Sequence, residues 1–160
     1  MFILFGMPIA QIMLFGFAIT NEINNVNIAI LDKSKDSETQ KIINKISASK
    51  YFNIEQDIVN ENQIESVFQK GKVKAVLVFE TDFGENLQKL KQAKVQVITD
   101  ATDPNIANTI ANYVNAILQN YTQEINNNNR PSHQIQTQTQ LYYNPELKSV
   151  FNFVPGVMTI

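Results

Sequence analysis

From Met1 to Asn21 the chain carries no charged side chain, and Phe2, Ile3, Leu4, Phe5, Met7, Ile9, Ile12, Met13, Leu14, Phe15, Phe17 and Ile19 leave no polar face on a helix. A helix from Phe2 to Thr20 would be about 28 Å long, close to the roughly 30 Å of a bilayer's hydrocarbon core. A helix lying on a water-soluble core keeps a polar stripe, and this segment has none. Pro8 is tolerated in a membrane helix, where neighbouring groups satisfy the freed carbonyl. A secretory signal peptide would need a basic start and a small-residue cleavage site, and Phe17-Ala18-Ile19-Thr20 supplies neither. Residues 1–21 are therefore expected to form a transmembrane helix, with Phe2, Leu4, Phe5, Pro8, Ile12, Leu14, Phe15 and Phe17 among its anchoring side chains.

The other end repeats the pattern in miniature. Ser149 to Ile160 is uncharged and carries Phe153, Val154 and Pro155. Roughly ten residues cover about half a bilayer, so residues 149–160 are expected to begin a second transmembrane helix that continues past Ile160.

Between these ends the chain is polar. With 160 residues in all it fits one domain, assigned to residues 22–148. The net charge is -2 and the 13 Lys and Arg are scattered, which leaves no electrostatic footprint for nucleic acid. The absence of cysteine excludes disulfides, thiolate metal sites and a cysteine nucleophile.

Val26 to Leu31 is β-branched and alternating, and reads as a first strand. Ser37 with Gln40 fits a capping box ahead of the helical stripe Ile42, Ile43, Ile46. Tyr51 to Ile58 reads as a second strand. Asn60 with Gln63 repeats the cap pattern ahead of Ile64, Val67 and Phe68, with Gly71 closing that helix. The apolar run within Val73 to Phe79 predicts a central strand covered on both faces. A short helix over Asp82 to Lys91 uses Leu87 and Leu90, and Val95 to Thr99 is a further strand. Asp103 or Thr102 then caps a long helix with Pro104 near its start, carrying Ile106, Ile110, Tyr113, Val114, Ile117, Tyr121 and Ile125 at helical spacing. In the last strand Ile135, Thr137, Thr139 and Leu141 alternate with four glutamines, so one face is wet. The expected fold is α/β: a mixed, mostly parallel sheet with helices packed on it, the direction of the final strand being left open by the pattern.

Motifs for chemistry are absent. Gly71-Lys72-Val73 lacks the spacing and hydroxyl of a phosphate loop, and none of the five glycines builds a nucleophile elbow. His133, the single histidine, is expected to face solvent in a polar loop. Asn120-Tyr121-Thr122 matches a glycosylation sequon but lies inside the long helix. Asp32, Asp100 and Asp103 could gather at strand ends, where open α/β sheets bind ligands, and would then mark a secreted or membrane-tethered ligand-binding domain. Helix capping already accounts for Asp103.

The stretch from Phe5 to Glu22, with Gly6, Pro8, Gln11 and Gly16, resembles the first transmembrane helix of type-2 ABC exporter permeases, the bacterial multidrug and antibiotic efflux branch. Tyr143-Asn144-Pro145-Glu146-Leu147-Lys148-Ser149, followed by Phe153-Val154-Pro155-Gly156-Val157-Met158, is similar to that family's approach to its second helix. Asn144, Pro145, Glu146, Pro155 and Gly156 carry the likeness there. Asn27 to Asp32 and Asp100 to Pro104 resemble parts of the family's large loop domain. The chain departs from the family pattern in lacking a basic cytoplasmic start, so charge alone does not orient it.

The resemblance implies a permease subunit of an exporter of drugs, antibiotics or lipid-like compounds, in the bacterial inner (cytoplasmic) membrane. Its central domain would lie on the extracytoplasmic side. It implies as partners a cytoplasmic ABC ATPase subunit that hydrolyses ATP, a second permease copy, a periplasmic adaptor and the lipid bilayer. No catalytic residue, cofactor or metal is expected on this chain, and it is not expected to be an enzyme.

Overall fold

The computed structural model describes Met7, residues 24–127 and residues 132–143. The expected membrane segments at 1–21 and 149–160 lie outside those residues, apart from Met7, as do the anchoring and family-motif side chains named for both ends. Among the described residues no helix is long and apolar enough to cross a membrane.

Among the described residues nine elements alternate: β1 (Val26–Asp32), α1 (Ser37–Ser47), β2 (Phe52–Asp57), α2 (Gln63–Gln69), β3 (Ala75–Phe79), α3 (Phe83–Lys89), β4 (Gln92–Asp100), α4 (Pro104–Asn127) and β5 (Gln134–Tyr142). They form one sheet in the order β2-β1-β3-β4-β5. The pairs β1 with β2, β1 with β3 and β4 with β5 are parallel, and β3 with β4 is antiparallel. The sheet is thus mixed and mostly parallel, and β5 runs alongside β4.

The apolar run that marked β3 is buried at all five positions, as a strand at the centre of a sheet covered on both faces must be. One face packs Ile28, Ile30, Leu77, Val95 and Val97 against Ile42 and Ile46 of α1, Phe83 and Leu87 of α3, and Ile110, Val114 and Leu118 of α4. The other face carries Ala29, Leu31, Val76, Val78 and Ile98 under Ile64, Val67 and Phe68 of α2. Because α2 has only seven residues, it leaves the β4–β5 side of that face to the glutamines. Gln96 there donates to Gln140 at 2.6 Å.

Several boundaries differ from the sequence reading. The N-cap of α1 is Asp36, with Ser37 already helical, because a carboxylate accepting the free N–H groups of the first turn is a strong cap and also favours the positive end of the helix. Gln63 opens α2 and its side chain reaches back to the N–H groups of Val59 (2.9 Å) and Asn60 (3.2 Å), half of the expected box. Leu90 lies beyond α3 and is 70% exposed, so only Leu87 of the expected pair is core. β4 extends over nine residues instead of five, since every one of them pairs with β5.

Candidate functional site

The strand directions decide which polar residues can meet. β1, β2 and β3 run one way and β4 and β5 the other, so the beginnings of the first three and the ends of the last two share one end of the sheet. The N–H of Val26 donates to Tyr51 O (2.9 Å), that of Lys74 to Asn27 O (2.9 Å), that of Asp100 to Lys74 O (2.9 Å) and that of Ala101 to Tyr142 O (2.9 Å). The chain therefore enters the domain at Val26 and leaves it at Tyr142 at the same end.

Asp32 lies at the opposite end, paired with Phe79, while Asp100 is level with Lys74. Five residues of strand at about 3.3 Å each set them roughly 16 Å apart. The alternative in which Asp32, Asp100 and Asp103 gather does not occur, and the ligand site it would have made falls with it. The antiparallel β3–β4 pair is the physical reason, since it turns the end of β4 away from the end of β1.

Each aspartate has a local partner set instead. Asp100 accepts from the N–H (3.0 Å) and hydroxyl (2.6 Å) of Thr102 and from Lys74 Nζ (3.1 Å). Partial burial pushes its carboxyl up, and these Thr102 and Lys74 contacts outweigh that and hold it below the usual carboxylate range. Asp103 caps α4 through the N–H groups of Asn105 (3.0 Å) and Ile106 (3.3 Å), with Pro104 at the first helical position. Asp32 accepts from the N–H groups of Ser34 (3.1 Å) and Lys35 (2.8 Å) and from the Thr39 hydroxyl (2.7 Å).

The densest polar network centres on Asp36, which the sequence reading passed over. Its Oδ1 accepts from the N–H groups of Glu38 (2.8 Å) and Thr39 (2.9 Å), and its Oδ2 from the Ser34 hydroxyl (2.5 Å) and the Gly84 N–H (2.6 Å). Ser34 Oγ in turn accepts from the Phe83 N–H at 2.9 Å. The first turns of α1 and α3 are thereby tied together through one carboxylate. Burial pushes Asp36 up, and the hydrogen bonds from Ser34, Thr39, Gly84 and Glu38 bring it below its ordinary value. Glu38 links α1 to α4 by accepting from the buried Tyr121 hydroxyl and from Lys41 Nζ (2.7 Å). Both oxygens of Asp36 and both oxygens of Glu38 accept hydrogen bonds from within the domain, which ties α1 to α3 and to α4.

His133 is buried, with 7% of its surface exposed, and does not face solvent as expected. Asn126 near the end of α4 holds it, Oδ1 accepting from the His133 N–H (2.6 Å) and lying 3.1 Å from Nδ1, while Nδ2 donates to the His133 carbonyl (2.9 Å). His133, just ahead of β5, is thereby fastened to α4. Nothing in the sequence singles out Asn126 for this, since it opens a run of four asparagines.

Among the described residues no group of three or more His, Cys, Asp or Glu could hold a metal ion. The surface carries open grooves, among them one of about 350 Å³ beside α2 lined in part by Ile64, Glu65, Val78, Gln96 and Tyr142. What remains among the described residues is the shared end of the sheet, at which the chain comes in at Val26 and goes out at Tyr142.

A family model described as ABC-2 family transporter protein matches residues 1–160. Over 158 residues, 96% of the chain, the sequence is 27% identical to "Probable multidrug ABC transporter permease YbhS" of Escherichia coli (strain K12), of which the match spans 41%. Over 150 residues, 94% of the chain, it is 26% identical to "Probable multidrug ABC transporter permease YbhR" of the same organism, again spanning 41% of that protein. The chain therefore spans less than half the length of these curated relatives. A solved structure of a domain from an ABC type-2 transporter of Thermotoga maritima MSB8 matches with a TM-score of 0.56 at 14% identity, covering 81% of this chain and 99% of that one. That likeness shows a shared fold.

Proposed function

The chain belongs to the ABC-2 family transporter proteins, and from that membership we propose that it is part of the permease subunit of an ABC-type exporter. Residues 22–148 are its extracytoplasmic domain, residues 1–21 a transmembrane helix and residues 149–160 the start of a second. Phe2, Leu4, Phe5, Pro8, Ile12, Leu14, Phe15, Phe17, Phe153, Val154 and Pro155 sit in lipid. The setting is the bacterial inner membrane, and the exported compound is a drug, an antibiotic or a lipid-like molecule.

The observation that carries this reading is the common end at which the strands bring the chain in at Val26 and out at Tyr142. A domain inserted between two membrane helices has to return its chain to the bilayer it came from. A sheet in which β5 ran parallel to β1 would deliver the two apolar flanks to opposite ends.

ATP hydrolysis takes place on a separate cytoplasmic ATPase subunit and drives alternating conformations of a permease dimer. The domain caps the exit, contacts its twin or meets a periplasmic adaptor. Neither relative that matches most of this chain is named as an ATPase.

Expression of residues 1–160 in a bacterial host tests the anchoring. The chain is expected to stay with the membranes through an alkaline carbonate wash and to need detergent for extraction. Recovery as a detergent-free, monodisperse monomer would contradict the reading.

A further inference from the structure

The end of the sheet through which the chain enters and leaves also collects lysines. Lys50 lies in the α1–β2 turn, Lys70 and Lys72 in the α2–β3 connection and Lys74 just ahead of β3, and all four are exposed. Backbone hydrogen bonds from Asn25 N–H to Lys50 O (3.2 Å) and from Lys74 N–H to Asn27 O (2.9 Å) hold two of these connections against the first residues of β1. Among the described residues Lys74 pairs with Asp100 at 3.1 Å, whereas Lys50, Lys70 and Lys72 stand in no ion pair. Among the described residues the acids toward this end also include Asp103, whose carboxylate is turned to the start of α4, and Glu65, which lines one groove with Tyr142.

Aromatic side chains accompany the lysines. Tyr143 is 56% exposed at the end of β5 and packs edge-on against Tyr142. Lys50 Nζ lies 5.5 Å from the centre of the Tyr51 ring. At the far end the balance is reversed, with Asp32, Asp36, Asp57, Glu61, Glu80, Asp82 and Glu85 facing Lys33, Lys35, Lys89, Lys91 and Lys94. The domain as a whole is acidic, so a lysine-rich end next to the flanks runs against the trend of the chain.

We propose that this end is a seat for anionic phospholipid headgroups. The inference rests on the membrane reading of the two flanks, which sets these lysines at the level of the headgroups. Long lysine stems reach a phosphodiester while the amphipathic tyrosine ring lies at the same depth. Each lysine close to an anionic surface favours it by roughly fivefold, an effect that fades beyond a Debye length of about 8–10 Å. The seat would hold the domain upright on the bilayer and lend it a preference among lipids that the apolar helices cannot supply.

The test uses the 160-residue chain in nanodiscs of phosphatidylcholine alone or mixed with phosphatidylglycerol, with amide exchange read over residues 69–74 and in the β4 core. In the mixed discs exchange over 69–74 is expected to slow by about fivefold or more, and the difference to shrink as salt is raised. The triple substitution K50Q/K70Q/K72Q should abolish the difference while β4 amides remain protected, and K33Q/K35Q at the far end should leave it intact. Equal exchange in the two lipids, or equal loss from the far-end pair, overturns the seat and leaves the membrane reading standing. Failure of the chain to enter either disc overturns both.

Discussion

Both carboxylate oxygens of Asp36 are occupied by donors from two different helices, and this one residue sets how α1 meets α3. Its folded pKa lies below its unfolded one, so the unfolded chain binds more protons near the carboxylate range and stability rises with pH there. The contribution is complete above the unfolded pKa and is lost as pH falls through the depressed folded value. Asp36→Asn keeps an acceptor for the α1 cap but presents an amide to the Gly84 N–H, and is expected to cost about 1–3 kcal/mol at neutral pH. Urea unfolding across a pH series should show the gap from the parent narrowing below about pH 4. A gap that stays constant into acid would mean the charge is irrelevant.

Gly84 is the counterpart on α3. A Cβ there would stand 2.8 Å from Asp36 Cγ, closer than side chains approach. Alanine gains about 1 kcal/mol in helix propensity over glycine, yet overpacking against a carboxylate fixed by four donors costs about 1–3 kcal/mol. Gly84→Ala is therefore expected to lower the urea midpoint, and a raised midpoint would show that Asp36 can move aside. Of this pair the sequence disclosed one half. An aspartate directly before Ser37-Glu38-Thr39 is readable as a cap, whereas the demand on Gly84 exists only once α3 is packed against α1.

Among the elements, β3 was the most legible, because an uninterrupted apolar run has one comfortable place in a sheet of this size. β5 was legible in its alternation, but its half-buried Ile135 and Thr137 mark it as a thinly covered edge. Leu77, fully buried at the centre of β3, is expected to lose about 2–5 kcal/mol on change to alanine. Ile135→Ala should cost well under half of that, since much of the side chain already touches water. Chemical denaturation of both variants measures the contrast, and equal losses would place β5 in the core to the same degree as β3. Strand direction was not legible. Periodicity marks which residues share a face but carries no arrow, so the antiparallel β3–β4 step stayed hidden and with it the separation of Asp32 from Asp100. His133 was misplaced for a related reason: it is held by Asn126, seven positions back on another element.

At the scale of the molecule the sheet has one end at which the chain enters and leaves and an opposite end away from both points. Val26, Tyr142 and four lysines mark the first, while the Asp36 network and the exposed Val59 and Leu90 mark the second. The greasy termini were the clearest statement in the sequence, and their likeness to an exporter family led to the membership found by comparison. On the proposed reading, the flanks hold this domain outside the cytoplasm. Because the chain has no cysteine, Val59→Cys supplies a single thiol at a site that is 70% exposed on the opposite end. Intact spheroplasts expressing residues 1–160 with this substitution are to be treated with a membrane-impermeant maleimide. Labelling of membrane-bound protein before any lysis is expected, and labelling that appears only after the cells are broken would put the domain inside the cell instead.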